Sequence, residues 1–160
     1  MLDESGSRFD EVKTALDEYQ RAGYQLGITA QFVLVCPTLL SRNEAEAAFE
    51  LIDHGFSIVS HNSERCFEAE LYRLKARAML MRGASDAEAE SLLDQALRIA
   101  RGQQARSLEL RAATDLAKLW MQQGKNAEAL DVLASIHSRF TEGFDTRDVK
   151  EAKVILAQLQ

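Results

Sequence analysis

Between Arg65 and Ala134 the chain writes one plan twice. RCFEAELYRLKARAMLMRG, from Arg65 to Gly83, precedes a helix-forming run over Ser85–Gly102; RSLELRAATDLAKLWMQQG, from Arg106 to Gly124, precedes another over Asn126–Ser138. A shift of 41 residues carries Glu68 onto Glu109, Ala76 onto Ala117, Met79 onto Trp120 and Gly83 onto Gly124. The signatures Ala87-Glu88-Ala89 and Ala127-Glu128-Ala129 then align with one residue of slack in the turn. A recurrence of this period marks helical hairpins that cannot bury their apolar faces alone and therefore stack into a solenoid. Ala76, Ala89, Ala117 and Ala129 are the small residues that let the two helices of a pair approach.

Composition agrees with an all-α fold. The 160 residues suffice for one domain with a real core, and eight Gly with a single Pro leave little room for long loops. The net charge of −6 is unevenly spread: residues 1–60 hold 4 basic and 10 acidic side chains, 61–120 hold 10 and 9, and 121–160 hold 5 and 6. An acidic chain without a basic patch is not built to displace counterions from nucleic acid, so no nucleic-acid partner is expected. Cys36 and Cys66, the only cysteines, lack metal-type spacing and suit a reducing cytoplasm better than a disulfide framework. Met1–Ser5 show no basic stretch followed by an apolar one, so no secretory signal is expected, and the longest apolar run, near Phe32–Cys36, is too short to span a bilayer.

Apolar spacing predicts an N-terminal helix over 7–22, hairpins over roughly 24–60, 64–102 and 106–138, and a C-terminal capping helix over 147–159, all in one domain spanning 1–160. Capping boxes are expected at Ser7–Asp10, Ser41–Glu44 and Ser85–Glu88, and Asp145 or Thr146 is placed to cap the last helix. Pro37 predicts a kink around Val33–Cys36, or two short helices, because it removes a donor and crowds the carbonyl four residues back. Gly55, inside the third helix, lowers helix propensity by roughly 1 kcal/mol. In the fourth helix Phe67, Leu71, Leu74, Ala78 and Met81 are expected to face inward.

The segments Glu68–Lys75, Ala96–Arg101, Gln104–Ala113 and Phe140–Thr146 resemble the tetratricopeptide-like C-terminal region of large bacterial adenylate-cyclase-type signalling proteins. In that family a class III cyclase domain and a nucleotide-triphosphatase domain precede the repeats. The resemblance spans about 64–159; Pro37 and Ser41 depart from it, Ser41 standing where later repeats have Gly83 and Gly124. It implies a tetratricopeptide-like superhelix with a regulatory or scaffolding role. No catalytic residue carries over, because the family's catalytic domains lie outside this chain.

The residues offer little chemistry of their own, and no enzyme activity, cofactor or metal is expected. Gly124-Lys125-Asn126 lacks the upstream glycine and the hydroxyl of a phosphate-binding loop. His54, His61 and Cys66 cross a helix end and a turn in no zinc pattern. Tyr24, Tyr72 and Trp120 are candidates for a small-molecule sensor pocket between helices, with plain core as the simpler account. The candidate partner-binding residues are Arg73, Arg77, Arg111 and Lys118. The 41-residue shift places them on neighbouring first helices, which in tetratricopeptide-type stacks line the concave groove. Guanidinium groups grip carboxylates bidentately, so a protein or peptide partner is expected, with an acidic segment or another domain of a parent protein as occupant. The competing account pairs these cations internally with Glu68, Glu70, Glu109 and Asp115. An apolar end on the Met1 side is a surface that a second copy could cover as a homodimer.

Overall fold

The computed structural model describes residues 4–23 and 27–160. Among these described residues eight helices follow one another: α1 (Glu4–Arg21), α2 (Ile28–Ser41), α3 (Ala45–Asn62), α4 (Glu68–Met81), α5 (Asp86–Gly102), α6 (Arg106–Gln122), α7 (Asn126–His137) and α8 (Arg147–Leu159). No strand occurs among the described residues. Each helix packs on the next, and α2, α4, α6 and α8 also touch in succession. The even-numbered helices therefore form a continuous inner row and the odd-numbered ones an outer row. A row in contact on one side only curves the stack, giving a tetratricopeptide-like superhelix with a concave inner face.

The hairpins close on small side chains. Ala76, Ala89, Ala117 and Ala129 are all fully buried, so α4 meets α5 and α6 meets α7 backbone to backbone. The core divides into two clusters, one from α1 to α4 and one from α4 to α8. α4 joins them: Leu71, Leu74 and Ala78 face the N-terminal cluster while Ala76 faces the C-terminal one. Phe67 is only half-buried at the N-cap of α4, and Met81, expected inside, is 41% exposed at its end.

The repeat register is written in the helix C-termini. After α4, Gly83 adopts φ +86°, and the Ala84 amide donates back to the Met79 carbonyl at 3.0 Å. After α6, Gly124 (φ +76°) and the Lys125-to-Trp120 bond do the same. After α2 the left-handed position belongs to Asn43 (φ +63°), with the Glu44 amide on the Leu39 carbonyl at 2.9 Å. Asparagine tolerates that conformation better than most side chains. Asn43, not Ser41, is thus the counterpart of Gly83. Ser41 closes α2 instead of capping α3, its hydroxyl donating to the Thr38 carbonyl at 2.7 Å. The expected box at Ser41–Glu44 is absent; α3 starts after Glu44 with no side-chain cap. Ser7 lies inside α1, so it is not an N-cap; its side chain is outside the described residues. Ser85–Glu88 does form both bonds of a capping box, the Ser85 amide to Glu88 Oε2 at 3.0 Å and the Glu88 amide to Ser85 Oγ at 3.4 Å. Thr146 stands at the N-cap of α8 without a side-chain cap bond, its hydroxyl donating to the Gly143 carbonyl at 2.7 Å.

Pro37 does not divide α2, which runs as one helix from Ile28 to Ser41. At its start Gly27 (φ +79°) turns the chain and the distant Glu64 receives the first amides, while the expected stretch 24–26 lies outside the described residues. The Glu64 carboxylate accepts from the Gly27 amide at 3.1 Å, the Thr29 amide at 3.0 Å and the Thr29 hydroxyl. Glu64 therefore belongs to the turn that caps α2, and α4 starts only at Glu68. Cys36 is fully buried in α2, and burial pushes its thiol up to about 12.

Gly55 has a packing reason. A Cβ there would lie 3.0 Å from Leu71 Cδ2 and 3.3 Å from Cδ1, where α3 crosses α4. Leu71 is fully buried and cannot swing away. Gly55→Ala is expected to lower stability by about 1 kcal/mol, because overpacking outweighs the gain in helix propensity. Gly102→Ala, with open space around it and no left-handed φ, should leave the urea midpoint unchanged or raise it. Equal stabilisation by both substitutions would contradict the close approach.

Candidate functional site: the concave groove

The inner row encloses a groove of about 780 Å³. Val33, Leu34 and Pro37 of α2 form one rim, α4 and α6 the floor, and the start of α8 the other rim. All four cations singled out in the sequence, Arg73, Arg77, Arg111 and Lys118, line it. They do not form an open basic strip.

The buried carboxylate of Glu70, 2% exposed, is the centre of a charge ladder. It accepts from Arg73 Nε at 2.9 Å and Nη2 at 2.8 Å on its own helix, and from Arg111 Nη1 at 3.3 Å on the next. Arg73 reaches across to Asp115 on α6. Arg111 Nε donates to Asp148 on α8 at 2.6 Å, and Lys118 pairs with Glu151 of α8. Glu70, Arg111 and Asp148 thus alternate in sign along three successive inner helices. Burial alone would raise the Glu70 carboxyl, but the Arg73 and Arg111 guanidiniums outweigh it and hold it below its ordinary value. Burial alone would lower Arg73, yet Glu70 and Asp115 raise it, and it stays charged.

Internal pairing therefore accounts for Arg73, Arg111 and Lys118. Two of the expected acids, Glu70 and Asp115, serve in it; Glu68 and Glu109 do not. Glu68 pairs with Arg65 at 3.4 Å. Glu109, 4% exposed, is clamped by Arg101 at 2.8 Å and Arg139 at 3.0 Å, at the ends of α5 and α7. Asp148 and Glu151 escaped the sequence argument because α8 lies beyond the 41-residue recurrence and its register cannot be read from it.

Two lining cations remain without a close ion pair among the described residues, Arg77 and Arg147. Both act at longer range on Glu151; burial would raise that carboxyl, but Lys118 first, then Arg147 and Arg77, draw it down. The groove holds five basic residues (Arg73, Arg77, Arg111, Lys118, Arg147) against four acidic (Glu70, Asp115, Asp148, Glu151), a local excess of one positive charge in a chain of net −6.

The other candidates do not converge. Tyr72 packs edge-on against Phe56 at 4.7 Å, and Trp120 packs against the C-terminal core. Neither lines the groove, and Tyr24 lies outside the described residues. The His54 ring stands edge-on to Phe32 at 5.3 Å, and Cys66 is exposed in the turn before α4. Among the described residues no three His, Cys, Asp or Glu side chains gather as metal ligands, and no helix is long and apolar enough to cross a membrane.

No family model and no curated protein sequence matches the chain. Among solved structures it is similar to the nearly identical tetratricopeptide-like repeats of a candidate kinesin light chain from Podosopora anserina. The two share 21% identity and superimpose with a TM-score of 0.55 over 96% of this chain and 85% of that one. The likeness establishes the tetratricopeptide-like fold.

Glu70→Gln, which keeps the shape and removes the charge, should cost about 2 kcal/mol at neutral pH, since each guanidinium keeps its second acid. The folded-state carboxyl lies below its unfolded value, so its contribution is complete above the ordinary carboxylate range. It is lost as pH falls through the folded value. Urea midpoints of the two proteins should converge on acidification from pH 7; a gap that is constant with pH would rule out a charged Glu70.

Proposed function

We propose that the chain is a non-catalytic docking module whose concave groove receives an acidic segment of a protein partner. The observation that carries this reading is the pair Arg77 and Arg147. They line the groove on α4 and α8, and neither has a close acid partner within the described residues. Arg73, Arg111 and Lys118 have their acids already and act as the frame that holds those two in place. A carboxylate entering between α4 and α8 gains charge-assisted hydrogen bonds from these two guanidiniums. The resemblance over 64–159 favours a parent of the adenylate-cyclase type, with the module regulating or scaffolding it in the cytoplasm and the parent's other domains among the occupants.

Fluorescence polarisation with labelled acidic, neutral and basic peptides of matched length tests the reading. Acidic peptides should bind in preference, and Arg77→Glu combined with Arg147→Glu should weaken them by about tenfold or more. Arg73 is unsuitable for such a reversal because it is 7% exposed and its loss strips Glu70 of its main partner. Binding indifferent to peptide charge, or unchanged in the double variant, would discard the acidic-segment assignment.

A further inference from the structure

Where α5 and α7 end and α6 begins, one buried acid holds two arginines. Glu109, in the first turn of α6, is 4% exposed. Its Oε1 accepts from Arg101 Nε at 2.8 Å and from Arg139 Nη2 at 3.0 Å, and its Oε2 accepts from Arg139 Nη1 at 3.3 Å. One carboxylate oxygen thus holds the two guanidiniums side by side, and both side chains stay about half-exposed, at 51% and 47%. The terminal nitrogens of Arg101 are without a partner among the described residues. Arg106, one turn before Glu109 on α6, is exposed and has no ion pair among those residues. None of these side chains lines the groove.

Pairing does not require this arrangement. One guanidinium neutralises a buried carboxylate, and the preceding repeat is built that way. Glu68, which the 41-residue shift carries onto Glu109, is paired with Arg65 alone, at 3.4 Å, and Ser60 stands where Arg101 does one repeat later. The negative ends of α5 and α7 favour cations, which accounts for an arginine at each end but not for both turning onto one acid. Charge is left over. Arg98, one turn before Arg101 on α5, adds a fourth guanidinium, and Asp94 is the second acid that acts on this end of α5. Four guanidiniums against two carboxylates leave an excess of two positive charges on a chain of net −6.

We propose that Arg101, Arg106 and Arg139 form a site for a doubly charged phosphate ester carried on a side chain of a protein partner. Such an ester brings about two negative charges and three acceptor oxygens, enough to bridge guanidiniums on separate helices, whereas a carboxylate brings one charge. Glu109 already fixes Arg101 and Arg139, so little side-chain freedom is lost on binding. The site is an open edge, which suits a phosphate presented on a chain, with further contacts around it, better than a free ion that nothing encloses. Glu142 and Asp145, exposed in the loop after Arg139, would repel the flat anionic face of a bilayer. The inference goes beyond the docking reading and does not rest on it, since Arg77 and Arg147 take no part.

Fluorescence polarisation with one labelled peptide of otherwise neutral composition, carrying phosphoserine, serine or glutamate at its centre, tests the site. The phosphoserine form should bind about tenfold or more tighter than the other two. Its affinity should fall as pH drops through about 6, where the phosphate loses its second charge and the guanidiniums keep theirs. Arg106→Gln leaves Glu109 and both its partners in place, and Arg101→Gln leaves Arg139 on Glu109. Each should weaken the phosphopeptide by about tenfold or more, and Arg106→Gln should melt as the unsubstituted chain does. Arg77→Gln combined with Arg147→Gln should leave this binding in place, which separates the site from the groove. Equal affinity for the three peptides, binding untouched by Arg106→Gln and Arg101→Gln, or binding lost only in the groove double variant would each overturn the site. Inorganic phosphate binding as tightly as the phosphopeptide would overturn the assignment to a chain-borne ester.

Discussion

A helical hairpin of this length has apolar residues on more sides than its two helices can hide from each other. The remaining stripe must be covered by the next hairpin, and this governs the rest of the molecule. It is why α4 divides its side chains between two cores, Leu71, Leu74 and Ala78 facing back and Ala76 forward. Small residues set how closely paired helices approach, and the left-handed residues at Asn43, Gly83 and Gly124 turn the chain at nearly constant intervals. The result is a stack in which stability is local and repeated, with an inner row that must curve.

The groove follows from that curvature, but its chemistry comes from a second constraint. Each inner helix presents its concave edge between two neighbours. The sequence fills that edge with Glu70, Arg73, Arg111 and Asp115. Buried or half-buried, these groups must be paired, and beyond the Glu70–Arg73 pair within α4 they pair across helices. A strip that seems basic when the repeats are overlaid becomes an alternating ladder when they are stacked.

That difference marks how far the sequence could be read. Elements and hairpins were legible from periodicity, because Ala76, Ala89, Ala117 and Ala129 sit where close helix contact requires them. That Arg73, Arg77, Arg111 and Lys118 share a face was legible too, from the 41-residue shift. The partners were not. Glu64 caps α2 from 35 residues away in sequence, a contact no local pattern announces. Ser41–Glu44 has the spacing of a capping box yet fails. The left-handed residue two positions later places Ser41 at the end of the preceding helix, whereas Ser85 follows its left-handed glycine and caps in earnest. Asp148 and Glu151 required the position of α8, which follows a loop of a different length from the other connections.

The ladder also explains why charges persist at a place where leucines would pack. Apolar side chains along α4, α6 and α8 would let one inner helix slide past another by a turn at little cost, since one leucine stripe resembles the next. Opposite charges do not allow this: a one-turn slip would bring Glu70 out of reach of Arg111 and leave a buried carboxylate half-paired, which is strongly unfavourable. Glu70–Arg111–Asp148 fixes the register that the apolar seam leaves loose. The core behind the groove sets its curvature, and the charges inside it fix the register at which the inner helices meet.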